Sequence, residues 1–254
     1  MKDVQNQKDL RNIPLNEVGI KNLRYPLAIK DSSGEWFTTH TTISATVGLP
    51  AEKRGTHMSR FVEIIQEYDR LNLKEIRGML ERMQTVLEAE TAFLTINFDY
   101  FVKKKAPVSG KEAYLNVNVT VSASLENTDF RFVVTVQTPV TTLCPCSKEI
   151  SDYSAHNQRA LVTITTETQR FIPLEQYVAI AEAAASSPVY PLLKRPDEKY
   201  VTEYAYDHPK FVEDVCRDVK QQLDRIPGIQ HYEIEAESLE SIHNHSAYAK
   251  ITGV

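Results

Sequence analysis

The chain is poor in glycine. Its eight glycines in 254 residues form neither a Walker A loop nor a Rossmann fingerprint, which excludes a glycine-lined phosphate cradle of either kind. Cysteine is scarcer still, and three of them, an odd number, do not make a disulfide framework. No stretch approaches the roughly 18 apolar residues of a membrane span. The opening MKDVQNQKDLRNIPLNEVG has no apolar run of the signal-peptide kind. A reducing cytoplasm is therefore the expected compartment, and it would keep the thiols free. The net charge of −5 excludes a broad nucleic-acid-binding face, though not a local basic pocket for a small anion.

What is present is a switching period of apolar residues. Residues 19–30 and 35–48 read as extended, separated by the turn DSSG. Phe61, Ile64, Ile65, Tyr68 and Leu71 then fall at helical spacing, and so do Leu73, Ile76, Met79, Leu80, Met83, Val86 and Leu87. Strand alternation returns at Ala92, Leu94, Ile96 and Phe98, and again at Val117, Val119, Val121 and Ala123. The second half repeats the order. Phe130, Phe132, Val134 and Val136 alternate, and 158–168 is β-branched. A helix should start near Pro173 and stop near SSP. A second carries Val212, Val215, Cys216, Val219 and Leu223 on one face and ends at RIPG. Two strands close the chain.

Each half thus reads strand, strand, helix, helix, strand, strand. The expected fold is α+β, with antiparallel sheets and helix pairs on one face. The expected divisions are a polar segment 1–18, a first module 19–126 and a second module 127–254. Long sheet edges in such modules call for cover by other subunits.

Chemistry concentrates in LCPCSKEISDYSAHNQR, residues 143–159. Cys144 and Cys146 flank a proline, and His156 follows. Thiolate and imidazole suit a metal or a reactive thiol, while a stiff turn with two small buried side chains is the plain alternative. No second cysteine pair completes a closed structural zinc site, so histidine or carboxylate would have to fill the shell. Cys216, on an apolar helix face, reads as core packing. His243 and His245 share a face if SIHNHSA is extended. Glu213 flanks an apolar helical stripe, and Glu198 sits in LLKRPDEKYVTE, a polar, proline-broken connection that also holds Lys194 and Arg195. His57 and Arg60 lie in GTHMSR beside a helix start, where a phosphate could bind or where they are only a cap and a surface arginine.

Taken together, TLCPCSKEIS, AHNQR, GTHMSRF, LLKRPDEKYVTE, FVEDVCRD and ESLESIHNHSA resemble the GTP cyclohydrolases of type IB. The resemblance runs from about residue 19 to the end. It implies the tunnelling fold in bimodular form and a homotetramer with interfacial active sites. It also implies opening of the GTP imidazole ring at C8, release of formate and closure to 7,8-dihydroneopterin triphosphate, the first step of folate synthesis. By the same resemblance Cys144, His156, Glu198 and His243 hold one divalent metal, zinc or manganese or possibly iron, with Cys144, Glu240 and His243 catalytic. Glu213 anchors guanine, and His57, Arg60, Lys194 and Arg195 are candidates for the triphosphate. Cys146 is left a packing or neighbouring role. Two alternatives would carry other signatures. A nitrile reductase of queuosine synthesis would need a lysine after a Glu-Ser pair, where this chain has ESIHNH. A non-catalytic purine-binding oligomer would not need Glu240.

Overall fold

The structure, a computed structural model, describes Gln5 and residues 7–254. The fold is mixed α+β, with a large, mainly antiparallel sheet and six α-helices among the described residues. Contacts divide the chain into two compact units, one of Met1–Asp99 with Thr120–Val134 and one of Tyr100–Val119 with Thr135–Val254. The sequence places its division in the tight turn after residue 126. The contacts cut elsewhere because three long strands, β4 (Thr91–Lys105), β5 (Glu112–Glu126) and β6 (Asp129–Leu143), each give one segment to either unit.

In the first unit β1 (Leu15–Lys30) pairs antiparallel with β2 (Trp36–Leu49), and β2 with β4. A two-residue strand, β3 (Arg70–Leu71), adds in parallel to β1. β1 begins four residues before the position expected from periodicity (residue 15 against 19). Its start is irregular, with register shifts on both sides of Gly19. A Cβ on Gly19 would lie 2.2 Å from the Ala45 carbonyl, so only glycine allows the strands to close there. The described part of the polar N-terminal segment docks rather than strays. Asp9 donates its amide to Glu52, and Arg54 and Gly55 donate theirs to Gln7 and Gln5; residues 1–4 and 6 lie outside the described residues. Helices α1 (Met58–Glu67) and α2 (Ile76–Leu87) bury most of the stripes read from the sequence, Phe61, Ile64 and Ile65 on one and Ile76, Met79, Leu80, Met83 and Leu87 on the other. Each such side chain contributes about 1.5–3 kcal/mol on burial. Tyr68 only ends α1, Leu71 falls in β3, Leu73 in the turn before α2, and Val86 is half-buried.

In the second unit β7 (Asn157–Thr168) and β10 (Ala247–Gly253) flank β9 (Ile229–Ser238), all antiparallel. A short β8 (Ser187–Pro188) pairs with β6. Helix α4 (Leu174–Ala184) starts just after Pro173, and α6 (Val212–Leu223) buries Val215, Cys216, Val219 and Leu223 toward β9 and β10. Gly228, at φ +93°, makes the turn that follows α6.

Two helices were not foreseen. The turn expected after β6 contains α3 (Pro145–Ile150), a single short run that periodicity does not reveal. The connection read as proline-broken is α5 (Arg195–Asp207). Pro196 does not break it, because proline fits the first helical turn. Asp197 fixes its start. This fully buried carboxylate accepts the amides of Val108, Ser109 and Lys194 at 2.7–2.8 Å. Burial raises its pKa, but those hydrogen bonds prevail and hold it well below the usual carboxylate range.

Candidate active site

The second unit carries a cavity of about 280 Å³. Cys144, Glu213, Glu240 and His243 all line it, joined by Gln158, Lys210 and His245. These side chains come from four separate stretches, and local structure explains each position.

Cys144 follows the last residue of β6 and caps α3. Its Sγ accepts the Ser147 amide at 3.4 Å. Its own amide donates to the His156 carbonyl at 3.1 Å, which pins together the two ends of the α3 excursion. His156 therefore arrives beside Cys144 through the backbone, just before β7 begins. Gln158, two residues on, faces the cavity. Its Oε1 lies 2.8 Å from His156 Nδ1, and its Nε2 donates to Glu240 Oε1 at 3.2 Å and to Thr142 Oγ1 at 3.4 Å. The β7–β9 ladder sets this meeting, since Ala160 pairs with Ser238 and the Leu239 amide donates to Arg159. The floor is a hydroxyl pair, Thr142 and Ser238, 3.0 Å apart.

Glu213 stands in the first turn of α6, where the helix dipole favours a carboxylate. His243 and His245 sit on the 239–246 connection with their rings stacked, centroids 5.2 Å apart. Both are exposed, and they give the mouth of the cavity two adjacent imidazoles.

Other candidates lie elsewhere. Glu198, Lys194 and Arg195 are exposed at the start of α5, and none lines the cavity. His57 is the N-cap of α1, and Arg60 donates Nη1 to the Val86 carbonyl at 3.0 Å, both within the first unit. Cys146 is exposed, not packed. Cys216 is buried as read, with its thiol pushed up to about 11 mainly by desolvation.

Sequence reasoning missed Gln158 and Lys210 as cavity residues, and paired His245 with His243 without giving it a role. Lys210 is the cation on this wall. Its amide donates to the Leu143 carbonyl, and its Nζ holds Asp218 at 2.6 Å. The proximity of Lys210 to Glu213 in sequence was the one available signal.

The donor types suit a divalent metal: the Cys144 thiol lies on the wall, while the His156 imidazole, beside it through the backbone, is not among the lining residues and has its Nδ1 2.8 Å from the Gln158 amide oxygen. Among the described residues no group of three His, Cys, Asp or Glu side chains stands close enough to hold an ion.

Comparison with known proteins gives consistent results. The family model for type I GTP cyclohydrolase FolE2 matches residues 1–249. The GTP cyclohydrolase FolE2 of Fervidobacterium nodosum is 48% identical over 253 residues, covering 99% of this chain and 97% of that protein. That of Thermotoga maritima is 51% identical over 249 residues, covering 98% and 96%. Among solved structures, urate oxidase from Bacillus sp. TB-90 aligns with a TM-score of 0.54 at 11% identity, over 94% of this chain and 99% of that one. Uricase from Arthrobacter globiformis aligns at 0.52 and 7% identity, over 93% and 92%. At such identities the likeness is one of fold.

Proposed function

Since the chain belongs to the type I GTP cyclohydrolase FolE2 family, and is thus a hydrolase acting on GTP, we propose that the Cys144–Glu213–Glu240–His243 cavity is where it converts GTP and water to 7,8-dihydroneopterin triphosphate and formate. This reaction is the family's entry to folate synthesis. The observation that carries the assignment is the convergence of these four side chains, from three separate stretches of chain, on one cavity.

Guanine offers N1–H and the exocyclic N2–H side by side, and the Glu213 carboxylate accepts both. Adenine lacks that donor pair, so Glu213 selects the base. Glu240, held by the Gln158 amide, relays protons during ring opening and formate release. Lys210 meets the negative triphosphate more directly than Lys194 or Arg195, which lie off the wall.

Cys144, His156 and His243 would hold a divalent metal, with Glu198 completing the set once α5 or a second copy of the chain brings it near. Such a metal lowers the pKa of bound water. Thiolate with imidazole suits zinc, and the carboxylate also admits manganese or iron. Metal content measured on Glu198→Ala tests the fourth ligand; undiminished affinity removes it.

A bimodular tunnelling fold assembled as a homotetramer agrees with the repeated strand–helix order. The exposed aromatics around α5, Tyr200, Tyr204, Tyr206 and Phe211, are surface that association would cover. No helix among the described residues is long and apolar enough to cross a membrane.

The direct experiment incubates the purified protein with GTP and added zinc or manganese. Formate and a pterin that fluoresces after oxidation are expected. Their absence with every metal tried, or NADPH consumption with a cyano-deazaguanine, would overturn the assignment.

A further inference from the structure

One cavity residue enters the scheme so far only as a partner of Glu240, yet it touches a second site residue as well. Gln158 presents a single carboxamide to His156 on one side and Glu240 on the other. The two ends of that amide are chemically opposite, and this fixes its orientation. Reversed, it would set the carbonyl oxygen against a carboxylate, acceptor to acceptor. As it stands, Nε2 donates to Glu240 Oε1 at 3.2 Å and Oε1 faces His156 Nδ1 at 2.8 Å. An oxygen acceptor at that distance calls for a proton on Nδ1. The Ser241 hydroxyl agrees, lying 3.3 Å from Nδ1 and 3.5 Å from Gln158 Oε1, where it shares the Nδ1 proton and donates its own to the amide oxygen. With Nδ1 protonated, the neutral ring keeps its lone pair on Nε2.

We propose that Gln158 is the positioning residue of this site: one amide sets His156 in the Nδ1–H tautomer, with Nε2 open to a ligand, and holds the Glu240 carboxylate in place. The Thr142 hydroxyl, 3.4 Å from Nε2 and tied to Ser238, stops the amide from turning away. Gln158 thus couples the ligand side of the cavity to the proton-transfer side. The proposal rests on the roles given above to His156 and Glu240.

Its test reads the tautomer as well as turnover. The full-length, metal-free protein is labelled with ¹⁵N-histidine, and long-range ¹H–¹⁵N correlations are recorded, with the His156 signals identified by their loss in His156→Gln. Wild type should show His156 protonated at Nδ1. Gln158→Met, which keeps length and removes both hydrogen-bonding ends, should move it toward Nε2–H and lower kcat roughly 10- to 100-fold with little change in the KM for GTP. Gln158→Glu keeps the acceptor but faces Glu240 with a second carboxylate, so the tautomer should stay while kcat still falls. An Nε2–H tautomer in wild type, or an unchanged one in Gln158→Met, overturns the proposal, as does a loss confined to KM. Wild-type rates in both His156→Gln and Glu240→Gln would instead overturn the roles it rests on, while leaving the tautomer result standing.

Discussion

The two units differ in what the connections between their strands and helices contain. In the first, β1 and β2 are joined by the short turn 31–35, and α1 and α2 by a stretch with only β3 and a 3₁₀ turn, Leu73–Glu75. In the second, the link from β6 to β7 carries Cys144, α3 and His156, and the link from α4 to α6 carries α5. The link from β9 to β10 carries Glu240, His243 and His245. Each unit has a cavity. One in the first, about 530 Å³, is lined by Glu52, Glu90 and Glu126 without cysteine, histidine or a cation, and another there by Arg11, Lys53 and Arg54. In the second, Cys144, Glu240 and His243 sit on connections, as expected where rigid elements support variable loops.

The contrast can be pressed hardest at Glu240. Glu240→Gln should cut turnover roughly 10²- to 10⁴-fold with metal content unchanged, by formate release and elemental analysis; loss of metal would make it a ligand instead. Next comes Glu213→Ala, which deletes a charged acceptor and should raise the KM for GTP about 10- to 100-fold. An unchanged KM would end its role as base anchor.

The units also differ in their ion pairs. In the second, Lys104 meets Glu182 with side-chain exposures of 14% and 11%, and burial pushes the Glu182 carboxyl up despite that partner. Glu182→Ala strands the lysine and should cost about 3 kcal/mol in chemical denaturation. Glu67–Arg82 in the first unit is nearly half exposed, so Glu67→Gln should leave the melting temperature within error. Arg60→Ala is expected to act on stability alone. It removes the bond to the Val86 carbonyl at the end of α2, costing about 1 kcal/mol with no change in the KM for GTP. A raised KM would return Arg60 to the triphosphate.

How much of this the sequence reveals depends on the range of the interaction. The stripes of α1, α2 and α6 and the alternation of β4 to β6 are local patterns, and they read correctly. Helix α5 did not, because its tyrosines and charges form no apolar stripe and its start depends on Asp197 reaching the distant turn at 108–109. At the site, Cys144, Glu213, Glu240 and His243 were singled out by family resemblance, and only folding shows them around one cavity. Gln158 lies in AHNQR, but the segment alone gives it no role. Its part follows from the β7–β9 register, which sets residues some eighty positions apart face to face.

Asp197 has a consequence for how α5 can vary. The helix behaves like a graft whose suture is one carboxylate and three amides. The outward positions Tyr200, Tyr204 and His208 stack on one another and can drift together with whatever surface they meet. Asp197 cannot drift, since even asparagine would turn a donor toward one of those amides. Across a library of single substitutions in this segment, tolerance should collapse at that one residue and recover on either side.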